Sequence, residues 1–118
     1  MEEIKKVEPL RFEFEGKEYT LEFSRKSVAE AERNGFSMED LTDHMMVRVP
    51  ELFFYAFKMH HPFIKKTDTD KILFEGFGGL TSDELKRLGD LYAEPYNALI
   101  NKLDGEEEGK NSRRVTIL

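Results

Sequence analysis

Residues 10–23 alternate apolar and polar or charged side chains with a period of two, which predicts a β-hairpin. The apolar positions are Leu10, Phe12 and Phe14 before the turn, and Tyr19, Leu21 and Phe23 after it. A two-residue turn at Gly16 and Lys17 would set Phe14 opposite Tyr19, and then Phe12 opposite Leu21 and Leu10 opposite Phe23. All of these side chains then share one face. Because an isolated hairpin is marginal in water, we expect that face to pack on helices.

The stretch from Pro50 to Pro62 predicts the most buried helix of the protein. Its sequence, PELFFYAFKMHHP, is apolar at nearly every position, and Glu51 and Lys58 are the firmly charged exceptions. A helix that is apolar on all sides is a buried helix. Pro50 suits the first helical turn, and Pro62 stops the helix from continuing. The helix is also too short to span a bilayer.

Capping signals predict two shorter helices ahead of this central one. Ser24 is a candidate N-cap, with Ser27 and Glu30 as a capping box one turn on, and the first helix ends at Asn34-Gly35. Ser37 caps a second helix that leads up to the central one.

A long amphipathic helix is predicted near the end of the domain. Thr81 and Glu84 form the clearest capping box in the chain and open this helix. Its apolar face consists of Leu85, Leu88, Tyr92, Tyr96, Leu99 and Leu103. Because proline removes a helical hydrogen bond and clashes with the preceding turn, we expect Pro95 to kink the helix or to split it after Ala93.

The short apolar segment from Lys71 to Phe77 has no periodicity that distinguishes a helix from a strand. We favour one or two helical turns ended by Gly76. Just before it, Asp68 and Asp70 resemble the start of a calcium loop, but that loop requires glycine where this chain has Leu73. We therefore reject a calcium site.

Together these elements predict an α+β fold, with an N-terminal β-hairpin packed on a compact bundle of about four to five helices, mainly α. The chain of 118 residues has the length of a single domain. We expect a flexible lead-in over residues 1–9, one α+β domain over residues 10–103, and a disordered tail over residues 104–118, where glycines and mixed charge replace the apolar pattern.

Composition excludes several classes of function. The absence of cysteine rules out disulfides, thiol catalysis and the common structural zinc sites. The net charge is −6 and no basic run is longer than a pair such as Arg113-Arg114, whereas nucleic-acid binding requires a field of lysine and arginine. The stretch MEEIKKVEP has no apolar run typical of a signal peptide or an anchor. These features predict a soluble cytoplasmic protein with no nucleic-acid or membrane partner.

No residue pattern points to catalysis, to a cofactor or to a bound metal. The histidines are His44 and the pair His60-His61, and adjacent residues on a helix point about 100° apart, which does not favour chelation of one ion. The GFGG stretch at 76–79 lacks the strand context and the later acid of a dinucleotide fingerprint, and is typical of a turn. GxSxG, P-loop and HExxH motifs are also missing. We therefore expect a non-enzymatic protein.

The candidate partner-binding residues form a stripe on the second predicted helix. Met38, Leu41, Met45 and Val49 have helical spacing, and Met46 widens the stripe. Most of the aromatic and methionine side chains are expected in the core. Methionine nevertheless adapts well to varied binding partners, so a methionine stripe beside a buried helix predicts an apolar groove or a self-association face. The candidate site is therefore Met38, Leu41, Met45 and Met46.

The order of parts along the chain carries a resemblance. A hairpin of the form RFEFEGKEYTLEFSRKSVAEAE is followed by an NGFS helix break, a compact helical middle and a final helix, TSDELKRLGDLYAEPYNALI. Over residues 10–103 this layout resembles the small tail assembly chaperones of long-tailed bacteriophages. The pair Gly78-Gly79 before the last helix departs from that layout.

The resemblance implies a non-enzymatic protein of phage or prophage origin. In that family the chaperone binds apolar helical segments of the tape measure protein and keeps it soluble in the host cytoplasm while tail-tube subunits assemble around it. The tape measure protein is thus the expected partner, with the tail-tube protein and a second copy of the chain as further candidates. The alternative hypothesis is a structural tail-completion or adaptor protein that stays in the phage particle.

Overall fold

The computed structural model describes residues 7–99 and has the α+β fold expected from the sequence. In chain order the elements are β1 (Leu10–Phe14), β2 (Lys17–Leu21), α1 (Arg25–Arg33), α2 (Met45–Phe57), α3 (Lys66–Lys71), a π-helical segment (Ile72–Phe77) and α4 (Ser82–Leu99). Residues 1–6 of the predicted lead-in, residues 100–103 of the predicted domain and the predicted tail 104–118 lie outside the described residues.

The hairpin forms as predicted, but its turn is one residue earlier. Glu15 and Gly16 occupy the turn with φ values of 52° and 79°, the two positive angles of a type I′ turn. Phe12 therefore pairs with Tyr19, and the predicted register is wrong by two residues. The same faces still coincide because a shift of two preserves the alternation. This turn matches the natural twist of the strands, which explains why a non-glycine residue, Glu15, takes a left-handed conformation.

The central helix is confirmed as core, but it begins earlier than predicted. Helix α2 starts at Met45, so Pro50 lies inside it rather than at its first turn. Its fully buried side chains are Leu52, Phe53, Ala56 and Phe57. The helix also ends at Phe57, before Pro62. The prediction of a buried centre is correct, and the prediction of its boundaries is wrong.

The second predicted helix, from Ser37, does not form. Residues 37–44 are a series of turns, and α2 begins only after His44. The Asp40 carboxylate accepts a hydrogen bond from Arg48 Nε at 2.8 Å and contacts His44 Nδ1 at 2.8 Å. These bonds connect the turn region to the first turns of α2. The predicted stripe is therefore not continuous: Met38 and Leu41 lie in the turn region, and Met45 and Met46 lie on α2.

Two of the three predicted helix caps, Ser24 and Thr81, lie at real helix starts. Ser24 caps α1, and the capping box pairs Ser24 with Ser27 instead of Ser27 with Glu30. Ser27 N–H donates to Ser24 Oγ, and Ser24 N–H donates to Ser27 Oγ. Thr81 and Glu84 cap α4 as predicted, with Thr81 N–H donating to Glu84 Oε1 at 2.8 Å. Helix α4 continues through Pro95 to Leu99, so the predicted split does not occur.

The segment from Lys71 to Phe77 is helical, as we favoured, but it does not end at Gly76. It continues α3 as π-helical backbone and ends at Gly78, which has φ of 66°. At Gly76 the backbone runs close to β1: a Cβ there would lie 2.7 Å from Cδ1 of Phe14. Glycine at this position therefore allows the hairpin to pack closely on the π-helical segment.

The core joins the apolar face of the hairpin to α2. The Phe57 ring lies edge-on to Phe12, Tyr19 and Phe53, with ring centroids between 5.1 and 6.1 Å apart. On the other side of the molecule, α4 contributes Tyr92, whose ring meets Phe23 at 5.1 Å. The hairpin, α2 and α4 thus share one continuous core.

Candidate functional site

An open groove runs between α1 and α4. It consists of two adjoining hollows, of about 570 and 230 Å³, which share Glu32 and Tyr96 as lining residues. We call this surface the α1–α4 groove. Its apolar lining is formed by Val28, Ala29, Phe36, Met38, Tyr92, Ala93, Pro95, Tyr96 and Leu99.

Aromatic side chains form the floor of the α1–α4 groove. Tyr92 is buried, and its ring packs edge-on against Phe36 at 5.3 Å and lies 5.6 Å from Tyr96. Burial raises the pKa of the Tyr92 hydroxyl to about 12, and the nearby charge of Glu32 adds to this shift. The Tyr92 hydroxyl therefore remains uncharged at physiological pH.

Towards the end of α4 the groove opens to solvent. Tyr96 is 39% exposed and Leu99 is 69% exposed. Three charged residues, Arg25, Glu32 and Glu39, contribute to the lining. Within residues 7–99 none of the three forms an ion pair. The groove thus combines accessible apolar side chains with a few charges, the composition expected where an amphipathic segment binds.

The four candidate residues from the sequence are divided between this groove, the core and another surface. Met38 lines the groove, and its Cε faces Gly89 on α4. Leu41 is buried in the core. Met45 and Met46 lie on the first turn of α2, are 47% and 86% exposed, and do not line the groove. The residues do not form one stripe because residues 37–44 are not helical.

Sequence reasoning missed the contribution of α4 to this surface. Tyr92, Tyr96 and Leu99 were assigned to one helical face, and that assignment implied a buried position for all three. The structure buries only Tyr92, because no other element within residues 7–99 covers the groove near the end of α4. The sequence signal that could have indicated this exposed surface is the apolar face of α4, which continues through Tyr96 to Leu99.

The histidines contact residues outside the α1–α4 groove. His60 Nε2 lies 2.8 Å from the Glu22 carboxylate, and His61 Nε2 accepts a hydrogen bond from Thr20 N–H at 3.2 Å. Burial lowers the pKa of His61, and the charges of Lys17 and His60 lower it further. In the part of the chain that the structure describes, no three acidic, histidine or cysteine side chains are grouped to hold a metal ion.

A separate hollow, of about 600 Å³, lies between the hairpin turn and α3. Its lining includes two acidic side chains, Glu15 and Asp68, and two basic side chains, Lys17 and Lys71. The pair Lys71 and Glu15 is already joined at 3.4 Å. This hollow is more polar than the α1–α4 groove, so it is less suited to an apolar partner.

The comparisons with known proteins place the chain in a family. Over residues 7–99 the protein has no helix long and apolar enough to cross a membrane. No curated protein and no solved structure matches the chain. Residues 4–117 match the family described as Domain of unknown function (DUF5055), which is nearly the whole chain. The protein therefore belongs to the DUF5055 family.

Proposed function

We propose that this protein is a non-enzymatic phage tail assembly chaperone, which binds apolar helical segments of the tape measure protein and keeps them soluble during tail assembly in the host cytoplasm. The α1–α4 groove is the observation that carries the proposal, since it offers an open apolar surface to a helical partner. The choice of the tape measure protein as partner rests on the resemblance in the order of parts along the sequence.

The groove suits a helix that presents one apolar stripe. Side chains at helical spacing on the partner would insert between α1 and α4 and contact Tyr96 and Leu99. Tyr96 is a rigid aromatic side chain that loses little conformational entropy on binding. Met38 is flexible and can adapt to side chains of different shape. This combination favours recognition of a class of apolar helices over recognition of one sequence.

The exposure of the groove to solvent fits transient binding. Both hollows are open to solvent along α4, and Leu99 is largely exposed, so a bound helix would remain partly accessible. A chaperone must release its partner when the tube subunits arrive, and a shallow contact allows a fast dissociation rate. The net charge of −6 further opposes aggregation of the complex.

The test is copurification with a tape measure protein, which the proposal expects to be the long product of a reading frame next to the gene for this chain. The chain and that product are coexpressed, and the amount of soluble long protein is measured with and without the chain. Leu99→Glu should reduce both binding and soluble yield, because it places a carboxylate on the apolar lining of the groove. Leu99 is 69% exposed, so the fold should be retained.

Met46→Glu is the matched control. It makes the same change from an apolar side chain to an acid at a residue that is 86% exposed and does not line the groove. Loss of binding in this variant, with Leu99→Glu unaffected, would move the contact to the exposed methionines of α2. Failure of the wild-type chain to bind or solubilise the long product would refute the chaperone proposal. Recovery of the chain in purified particles would favour the tail-completion or adaptor alternative.

A further inference from the structure

The β-hairpin has two outer edges, and α2 covers one of them. Glu22 N–H, just beyond β2, donates to the carbonyl of Ala56 at 2.9 Å. Thr20 N–H donates to His61 Nε2 at 3.2 Å. Both donors point away from β1, so the end of α2 and the residues after it occupy the outer edge of β2.

Within residues 7–99 no hydrogen-bonding group covers the outer edge of β1 in this way. Phe14 and Lys17 flank the two-residue turn and form a hydrogen-bonded pair, and such pairs alternate along an antiparallel hairpin. Arg11 and Glu13 are therefore the residues of β1 whose main-chain groups point outward. Apart from the ladder, no hydrogen bond reaches their main chain within residues 7–99. An uncovered edge of this kind is a template for another strand.

We propose that β1 pairs antiparallel with β1 of a second copy of this chain, joining two hairpins into one four-stranded sheet. A two-fold axis through Phe12 sets Arg11 of each copy opposite Glu13 of the other. Both residues carry outward main-chain groups, so each of the two pairs exchanges two backbone hydrogen bonds. The symmetry makes the contact closed and limits the assembly to a dimer.

Charge selects this register. Both Arg11 and Glu13 are exposed, and the two-fold pairing places opposite charges against each other twice. A shift of two residues in one direction would set Arg11 against Arg11 of the second copy, and a shift in the other direction would set Glu13 against Glu13. Pro9 has no N–H, and Glu15 is in the left-handed turn, so neither extends the pairing. The shifted registers thus lose both charge complementarity and hydrogen bonds.

The second copy would also relieve a repulsion within the hairpin. Glu13 lies directly opposite Glu18 on β2, and like charges in that position are destabilising. Within residues 7–99 neither carboxylate has an ion-pair partner. Arg11 of the second copy would lie beside Glu13 in the same row of the sheet. The arginine is thus placed where the hairpin has an excess of negative charge.

This dimer goes beyond the proposed function and does not depend on it, because α1 and α4 take no part in the pairing. The edge comprises the five residues Leu10–Phe14, so the interface is short and the dimer is reversible rather than obligate.

The experiment is sedimentation velocity across a concentration series that extends into the millimolar range. The wild-type chain should dimerise. Arg11→Glu and Glu13→Arg should each weaken dimerisation at least about tenfold, because each turns two symmetry-related attractions into repulsions. An equimolar mixture of the two variants should form a heterodimer, since every cross-strand pair is then again of opposite charge. Glu39→Arg is the control, with the same charge change as Glu13→Arg at an exposed residue of the turn region 37–44, away from the hairpin.

Three results would overturn the proposal. The first is a wild-type chain that stays monomeric at every concentration. The second is a dimer that both single variants leave unchanged, which would place its interface elsewhere. The third is a mixture of Arg11→Glu and Glu13→Arg in which no heterodimer forms. Circular dichroism of each variant checks the fold, and Glu13→Arg in particular should not lower stability because it removes the repulsion from Glu18.

Discussion

The side chain of Phe57 should be among the most costly to remove from this protein. It is fully buried, and its ring packs against Phe12 and Tyr19 of the hairpin and Phe53 of α2. Burying a phenylalanine contributes about 1.5–3 kcal/mol by transfer alone, and the unfilled cavity raises the cost of Phe→Ala to about 3–5 kcal/mol. The hairpin would lose its main contact with the central helix, so the substitution should weaken the whole fold.

Urea unfolding followed by circular dichroism measures this loss. For a domain with a stability of about 5–15 kcal/mol and an m-value of about 2 kcal/mol per molar urea, Phe57→Ala should lower the midpoint by roughly 2 M. Phe54→Ala is the matched control, since Phe54 is the same residue type on the same helix but only half-buried, with its ring beside Tyr55 and Lys58. We expect it to cost about 1–2 kcal/mol. A loss below about 1 kcal/mol for Phe57→Ala, or a larger loss for Phe54→Ala, would show that α2 does not centre the core on Phe57.

Two further predictions concern the hairpin and its supports. Gly76→Ala should destabilise the protein by about 1 kcal/mol, because the new Cβ would meet the Phe14 ring at 2.7 Å. In a Phe14→Ala background the same change should be neutral or stabilising, because alanine has the better helix propensity. Urea unfolding of the double-mutant cycle measures both effects. The lowered pKa of His61 means that the unfolded chain binds a proton first as the pH falls. The stability that His61 contributes is therefore present above pH 6.5 and is lost as the pH falls from there through the folded-state pKa. When the free energy of unfolding is measured between about pH 5 and 8, its slope against pH should be smaller in His61→Gln than in the wild type.

The sequence predicted the hairpin because alternation is a local signal, but it could not fix the register. From the sequence, a two-residue turn with a glycine could be placed at Glu15-Gly16 or at Gly16-Lys17, and both placements preserve the apolar face. The burial of α2 was predictable from composition alone. Its start was not, because residues 37–44 form turns whose contacts with α2, such as those of Asp40 with Arg48 and His44, are not visible in a local pattern.

The candidate site was only partly predictable, for a related reason. Met38 does line the α1–α4 groove, but the helical spacing that grouped it with Met45 and Met46 is not realised. The groove itself arises from α1 packing beside α4, two elements with residues 34–81 between them. No local pattern reports how closely such helices approach, so Tyr96 and Leu99 were assigned to a buried face from their spacing alone.

The attachment of the hairpin to the end of α2 has a consequence for how the protein folds during synthesis. The strands are complete once residue 21 has left the ribosome, but Phe57 and His61 emerge about 40 residues later. At a translation rate of about 5–20 residues per second, the aromatic face of the hairpin remains without its support for roughly two to eight seconds. During that interval the nascent chain exposes Phe12, Phe14 and Tyr19, the kind of apolar surface that general chaperones bind. A protein proposed to protect the apolar segments of another chain thus passes through a stage in which its own N-terminal segment needs protection.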